Sequence, residues 1–382
     1  MKFTKNDTLA VKGIAILLMM QHHCFRTASL FDGYSISFYP FSGNTVIVLS
    51  NFMKICVGMF VFLSAYGLTF SLKKYNANTV INSKQYTSYL YPRLIKLMWG
   101  YWFIFIVAQI GCIFIGQRQL DTYLQNGIAR GIYKFAVDFF GLSNLFGTAS
   151  LNNTWWYMTL AVLIVLVVPF VAKALKKYSI FTVMLVTLFL PRVIQFATSY
   201  KIGENNSCLR WSFAIILGVI FAQYNVLVKM KEFMITKNKY LSKTIKFLLA
   251  TVVLIAMVYM RIRYNKSFAN FSFEFNDGIV PVFVIYYCYE FIIGIPVLRQ
   301  VLCFLGKHSM NIFLFHTFIR HYWFEDFTYS FHHFALVSLV LLLTSLVASI
   351  IFEFIKKLIH YDDLMNTVIK KIQEKFIKES SC

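Results

Sequence analysis

The stretch TLAVKGIAILLMMQHHCF, residues 8–25, decides the fold. It is close to the ~20 apolar residues an α-helix needs to cross a bilayer. Yet it contains Lys12, His22 and His23. Ionisable groups at such depth cost roughly 2.5–3.5 kcal/mol each on insertion scales, so each one needs a reason. Lys12 inside the run, and the lack of a small-residue cleavage site after it, point to a retained span rather than a signal peptide. Working outward, apolar runs recur at 46–72, 90–116, 154–173, 178–198, 209–226, 244–262, 277–297, 300–320 and 334–355. Together they predict an all-α polytopic transmembrane helical bundle of about ten spans.

Composition agrees. Apolar residues make up 58% of the 382 and charged residues 14%, against roughly 45–50% and 25% in soluble domains. Mean hydropathy is +0.63. These values exclude a soluble globular enzyme, a disordered chain and a fibre. The seven cysteines form no C-x-x-C pair and lie mostly in apolar runs. Buried thiols are therefore expected, with neither a disulfide framework nor a metal site.

The net charge of +21, from 37 Lys and Arg against 16 Asp and Glu, sits mostly between the apolar runs. It reports orientation rather than a nucleic-acid partner. With the N-terminus cytoplasmic, Lys and Arg in the inner loops outnumber those in the outer loops by about two to one, so both termini are expected in the cytoplasm. A multi-pass protein of a cell membrane, bacterial plasma membrane by expectation, follows. The membrane domain is expected over 1–355 and a basic amphipathic cytoplasmic tail over 356–382. In that tail Leu364, Val368, Ile372 and Phe376 oppose Lys370, Lys371, Lys375 and Lys378, a pattern suited to anionic membrane lipid. Segment 127–145 repeats Arg130, Lys134 and Asp138 every four residues among Ile132, Phe135, Phe139 and Phe140, and predicts an interfacial helix on the outer face.

The chemistry-bearing residues begin with the first run. Eleven residues separate Lys12 from His23, about 16 Å of helix and close to three turns, so the two share one face. A cation at one end and an imidazole toward the other then line one path through the membrane. His22 points about 100° away. An imidazole titrates in the range of a general base that takes a proton from a sugar hydroxyl. The loop holding Lys73, Lys74, Lys84, Arg93 and Lys96 offers the positive mouth that a multiply phosphorylated thioester donor needs. Trp155 and Trp156 suit either sugar stacking or an interfacial belt. Glu290, inside the eighth run, suits an acceptor contact, an orienting contact to His23, or a structural ion pair. No G-x-S-x-G, H-E-x-x-H or P-loop is present. A transporter for a lipid-linked saccharide competes with an enzyme on these features alone.

Several segments resemble one family in chain order. The run from Lys12 to His23 resembles the opening of the acyltransferase-3 membrane proteins, whose first helix carries a basic residue, usually Arg, then ten residues, then His. Phe60-Val61-Phe62-Leu63-Ser64-Ala65-Tyr66-Gly67-Leu68 resembles the family's phenylalanine-rich segment. Tyr91-Pro92-Arg93-Leu94-Ile95-Lys96 resembles its basic turn into the third helix, and Asn153-Thr154-Trp155-Trp156 its Trp-bearing helix start. Leu305-Gly306-Lys307-His308-Ser309, running on to His316, resembles its late Gly-x-x-Ser…His helix. The chain departs from the pattern where Lys12 and Lys96 stand for Arg, Leu9 for an acidic residue and Ala65 for Gly. Lys lacks the bidentate fork of Arg.

The resemblance implies an O-acyltransferase, acetyl by expectation. It would move an acyl group from cytoplasmic acyl-CoA to a hydroxyl of a cell-surface or lipid-linked carbohydrate, with no tightly bound cofactor. His23 would be the base, and Lys12, Arg93 and Lys96 would engage the donor. Glu290, Trp155 and Trp156 would face the acceptor. Ser64 and Tyr66 would support the tunnel, and His316 would match the late His.

Overall fold

Capping and glycine placement set where the first helix starts and how closely it is packed. The computed structural model describes residues 3–73, 83–116, 118–198, 208–264 and 274–378. Helix α1 (Lys5–Phe25) opens on a capping box, with Asp7 N–H donating to Thr4 Oγ1 at 3.2 Å and Thr4 N–H to Asp7 Oδ2 at 2.8 Å. There follow α2 (Gly43–Phe52), α3 (Ile55–Lys73), α4 (Ser83–Ile115), α5 (Arg118–Tyr123), α6 (Ile128–Phe139) and α7 (Ser143–Phe146). The central helices are α8 (Trp156–Lys177), α9 (Ile180–Thr198), α10 (Cys208–Tyr224), α11 (Val226–Glu232) and α12 (Lys239–Tyr264). The last group is α13 (Val280–Tyr287), α14 (Pro296–Thr317), α15 (Glu325–Tyr329), α16 (Phe334–Leu358) and α17 (Tyr361–Lys378). Three π-helical turns flank these late helices, at Glu274–Ile279, Cys288–Ile292 and Phe318–Trp323.

All ten apolar runs are helical, and the chain is an all-α polytopic bundle. Among the described residues, seven helices are long and apolar enough to cross a membrane, or eight if the α10–α11 pair, bent by 64°, counts as one span. The run at 277–297 is divided by π-helical turns, and the run at 300–320 carries Lys307, His308, Asn311, His316 and Arg320. The second of these, α14, packs against α1, α16 and α4, so neighbouring helices rather than lipid receive Ser309, Asn311 and His316, while Lys307 is exposed. By contrast, α9 exposes Phe181, Phe189 and Phe196, and α12 exposes Leu248, Val252 and Ile255, which suits contact with acyl chains.

The bundle has two ends: a near end, where α1 begins, and a far end, where it stops. At the far end, α5 to α7 form a lid of short helices. Asp138 is its buried centre, accepting from Tyr123 Oη at 2.6 Å, Ser143 Oγ at 2.8 Å and the Leu151 N–H at 2.8 Å. Burial pushes the Asp138 carboxyl above the usual carboxylate range. The expected interfacial helix is α6, with Ile128 and Ile132 on its exposed face. Also at this end, Tyr34 stacks on Tyr329 and its hydroxyl donates to Asp326. At the near end, α16 continues to Leu358 and buries Lys356, which donates to Glu353 at 2.8 Å. The expected tail helix is therefore α17. It begins at Tyr361, whose ring lies 5.0 Å from that of Trp99 with two hydrogen bonds between the residues.

Candidate functional site

The site is built on the crossing of α1 and α14. Both helices place glycine at the contact: a Cβ on Gly13 would overlap the Leu302 carbonyl, and one on Gly306 the Leu9 carbonyl. Backbone thus meets backbone, as small residues permit in membrane helices. Arg299 of α14 donates to Asp7 at 2.7 Å and fixes the near end of the pair. Toward the far end, the same crossing brings the His23 ring to 4.7 Å from the His316 ring.

Beside this crossing lies a cavity of about 680 Å³, within the range of small-molecule sites. Lys12, His22, His23 and Arg26 contribute from α1 and its cap. Lys12 and Arg26 are fourteen residues apart, so the cavity follows about 21 Å of the α1 axis. Ser64 comes from α3, Leu97 from α4, Thr154, Trp156 and Tyr157 from the start of α8, and Ser309, Met310 and Phe313 from α14.

The three histidines hold different positions. His22 Nδ1 lies 2.8 Å from the Ser50 carbonyl. A carbonyl only accepts, so Nδ1 carries a hydrogen, and in the neutral ring Nε2 holds the lone pair. Ser50 is itself held in place, since Gln21 Nε2 donates to its Oγ at 3.2 Å and Ser338 Oγ donates to Gln21 Oε1 at 2.6 Å. His23 lines the cavity, and among the described residues no hydrogen bond reaches its ring. His316 is fully buried behind it. Its Nδ1 donates to the Phe313 carbonyl at 2.8 Å and the Ile312 carbonyl at 3.1 Å, and its Nε2 lies 3.3 Å from Thr317 Oγ1. His316 therefore presents a fixed ring to His23 rather than to the cavity.

The far mouth is strongly basic. Among the described residues, Arg26, Lys54, Arg210 and Arg261 line it, together with the carboxylate of Asp277. Arg210 Nε donates to Asp277 Oδ2 at 2.7 Å, and an Arg261 nitrogen lies 3.7 Å from Oδ1. Asp277 sits in the first π-helical turn, where Arg261 also donates to the Asn276 carbonyl. Such turns recur at functional sites.

Of the residues singled out from sequence, Lys12, His23, Ser64 and Trp156 meet in the cavity. The others lie elsewhere. Trp155 is buried, donates to the Leu314 carbonyl at 2.9 Å and holds the start of α8 against α14. Tyr66 packs among Phe3, Phe62 and Phe70. Glu290 pairs with Lys246 at 3.0 Å. Arg93 donates to the Tyr89 carbonyl at 2.6 Å and lies over the Tyr89 ring, while Lys96 is exposed one residue before the cavity-lining Leu97. Lys74 lies outside the described residues. His321, His332 and His333 bond to Glu325, the Ser35 carbonyl and the Tyr39 carbonyl, and no group of three metal-ligating side chains occurs among the described residues. His22, Arg26, Lys54, Arg210, Arg261 and Asp277 are cavity residues that sequence reasoning did not place there. The local signals were ionisable groups within the apolar runs: His22 and Lys54 inside the first and second, and Arg210, Arg261 and Asp277 at the edges of later ones.

Comparison with known proteins adds an independent finding. No curated protein and no solved structure matches the chain. A family model does match, the one described as an acyltransferase domain of the acyltransferase-3 type, and it covers residues 10–354. That span begins two residues before Lys12 and takes in every cavity-lining side chain described above. A polytopic helical bundle, a cavity running along its first helix, and a match over nearly the whole length make this chain a member of the acyltransferase-3 family of membrane acyltransferases.

Proposed function

We propose that the protein is an O-acetyltransferase of a bacterial plasma membrane, with both termini cytoplasmic. It takes the acetyl group from cytoplasmic acetyl-CoA and places it on a hydroxyl of a cell-surface or lipid-linked carbohydrate. One observation carries this reading: a single cavity joins Lys12 to His23 along one face of α1. The donor enters from the near end, past Arg93 and Lys96, and Lys12 holds it by a phosphate or by the thioester oxygen. The acceptor enters from the far end. Its hydroxyl oxygen attacks the thioester carbonyl carbon while its proton passes to an imidazole nitrogen of His23. The tetrahedral intermediate then expels the CoA sulfur, which takes that proton back, leaving an ester and a free thiol. Trp156, stacked on Trp211 at 6.2 Å, offers a flat aromatic wall to a sugar ring.

The family match favours this reading over transport of a lipid-linked saccharide, since a transporter would carry its cargo without consuming acetyl-CoA. The test is transfer of label from acetyl-CoA to surface glycan by the full chain in nanodiscs. The His23→Ala variant should lose transfer; full transfer by it removes His23 from the mechanism.

A further inference from the structure

His22 and His23 set two imidazoles against one cavity. Their ring centres are 5.2 Å apart with the planes inclined at 70°, and no hydrogen bond joins them among the described residues. A neutral imidazole has one lone-pair nitrogen. On His22 that nitrogen is Nε2, because Nδ1 gives its hydrogen to the Ser50 carbonyl at 2.8 Å. The ring is held in this sense, since Gln21 and Ser338 tie Ser50 of α2 to α1 and α16, and turning the ring over would break its bond to the carbonyl. His22 is only 4% exposed, yet among the described residues no hydrogen bond reaches Nε2. A withdrawn polar atom of this kind is satisfied when an occupant of the cavity supplies a donor.

A hydroxyl has a single hydrogen. The hydroxyl whose proton passes to His23 has none left for His22. From this we infer that His22 determines acceptor specificity: its Nε2 accepts a hydrogen bond from a second donor beside the reacting hydroxyl. The inference rests on the acyl-transfer reading and names the acceptor class. His22 and His23 are one residue apart, about 1.5 Å of helix, so the two donors lie at one depth and belong to neighbouring ring carbons. The acceptor is then a sugar with two adjacent hydroxyls, or with a hydroxyl beside an acylamino N–H. Because the tautomer is fixed, the site takes an O–H or N–H and rejects an oxygen that can only accept. A neighbouring carbon that is already esterified offers only such oxygens, so each adjacent pair receives one acetyl group. The pantetheine arm of coenzyme A also carries amide N–H groups. The surroundings favour the acceptor, since Asn51 and Phe52, next to Ser50 on α2, line the cavity with Arg26 toward the far mouth.

The test uses the full chain in nanodiscs and, as probe, surface glycan of the producing cell stripped of O-acetyl groups with mild base. His22→Ala should lower kcat/KM for this glycan by about two- to tenfold, the worth of one hydrogen bond, and leave KM for acetyl-CoA within about twofold. His22→Gln, whose amide both donates and accepts, should stay within about threefold of the wild type. NMR of the wild-type product should find one acetyl group per adjacent pair, and the Ala variant should begin to acetylate both positions. Wild-type product acetylated at both positions overturns the inference, and this arm needs no variant to fold. An unchanged kcat/KM for glycan in the Ala variant also overturns it. So does a rise confined to KM for acetyl-CoA, which would make pantetheine the partner. A Gln variant as inactive as His23→Ala overturns it too, because His22 would then move a proton. Glycan binding without acetyl-CoA separates the two readings. Binding that weakens in His22→Ala while the wild type transfers no acetyl group sinks the transfer reading and leaves the second-donor contact standing. Transfer by the wild type with binding indifferent to His22 does the reverse.

Discussion

Two π-helical turns flank α13; one buries Glu290, the other buries Glu274, paired with Arg192, and Asp277, and the Glu290 and Asp277 sites are built to opposite ends. In the Cys288–Ile292 turn, Glu290 meets Lys246 at 3.0 Å, and Lys246 also donates to the carbonyls of Met230 and Lys231 at 3.1 and 3.0 Å. One cation meets one anion, and neither lines the cavity. In the Glu274–Ile279 turn, Asp277 faces two arginines and the site opens on the cavity. A buried charge in a membrane helix is therefore a poor guide to function by itself. What separates the two carboxylates is whether open space adjoins them.

The comparison can be broken most severely on the open side. Replacing His23 with Ala should cut acetyl transfer by about 10²- to 10⁴-fold, the usual contribution of a positioned base, with thermal unfolding little changed. His22→Ala removes a cavity residue whose ring is pinned to Ser50, and should cost about tenfold or less, read in the same assay. If His22→Ala is the more severe lesion, the imidazole with the fixed tautomer is the base and the roles are exchanged.

On the closed side the expected loss is stability rather than rate. Glu290→Leu leaves the buried Lys246 ammonium without its carboxylate and should destabilise by about 3–5 kcal/mol. Adding Lys246→Met should restore most of that, because an apolar pair of similar volume removes both charges from the membrane interior. Thermal unfolding in detergent reads the difference, and kcat of the double variant should stay within about twofold of the wild type. A double variant that folds but loses transfer would place Glu290 in the chemistry and dissolve the contrast.

Away from both turns, Asp138 sharpens the comparison, for it is a buried carboxylate satisfied by neutral donors. Asp138→Ala strands Tyr123 Oη and the Leu151 N–H and should cost about 2–3 kcal/mol, with unfolding beginning in the α5–α7 lid. The smallest effect is expected at Tyr34, whose hydrogen bond to Asp326 raises its phenol to about 12. The neutral phenol is the form stabilised on folding. Its contribution is therefore complete below the unfolded pKa and disappears as pH rises through about 12. Tyr34→Phe should lower the melting temperature slightly at pH 7 and flatten the alkaline end of the stability profile.

Much of this was readable from the chain. Hydropathy located all ten helical runs, and the 3.6-residue period placed Lys12 and His23 on one face, where the cavity finds them. Hydropathy could not tell a lipid-facing run from one enclosed by neighbours, so it gave no sign that α14 lies against α1, α16 and α4. Nor could spacing say which partner a side chain meets. Trp155 and Trp156 are adjacent, yet one is spent on the Leu314 carbonyl and the other walls the cavity. His22 was set aside for its 100° offset, but α2 lies over that face and draws it in through Ser50. Arg26, Arg210 and Arg261 read as topology signals because they belong to three separate connections. Only the packed bundle brings them to one mouth.

A density map of the full chain with coenzyme A bound is the most direct trial of the shared cavity. The account predicts the thiol sulfur inside it, between Lys12 and His23, with the nucleotide at the near end by Lys96. A nucleotide seated at the far mouth on Arg210 and Arg261, or a thiol that never enters the cavity, would contradict it.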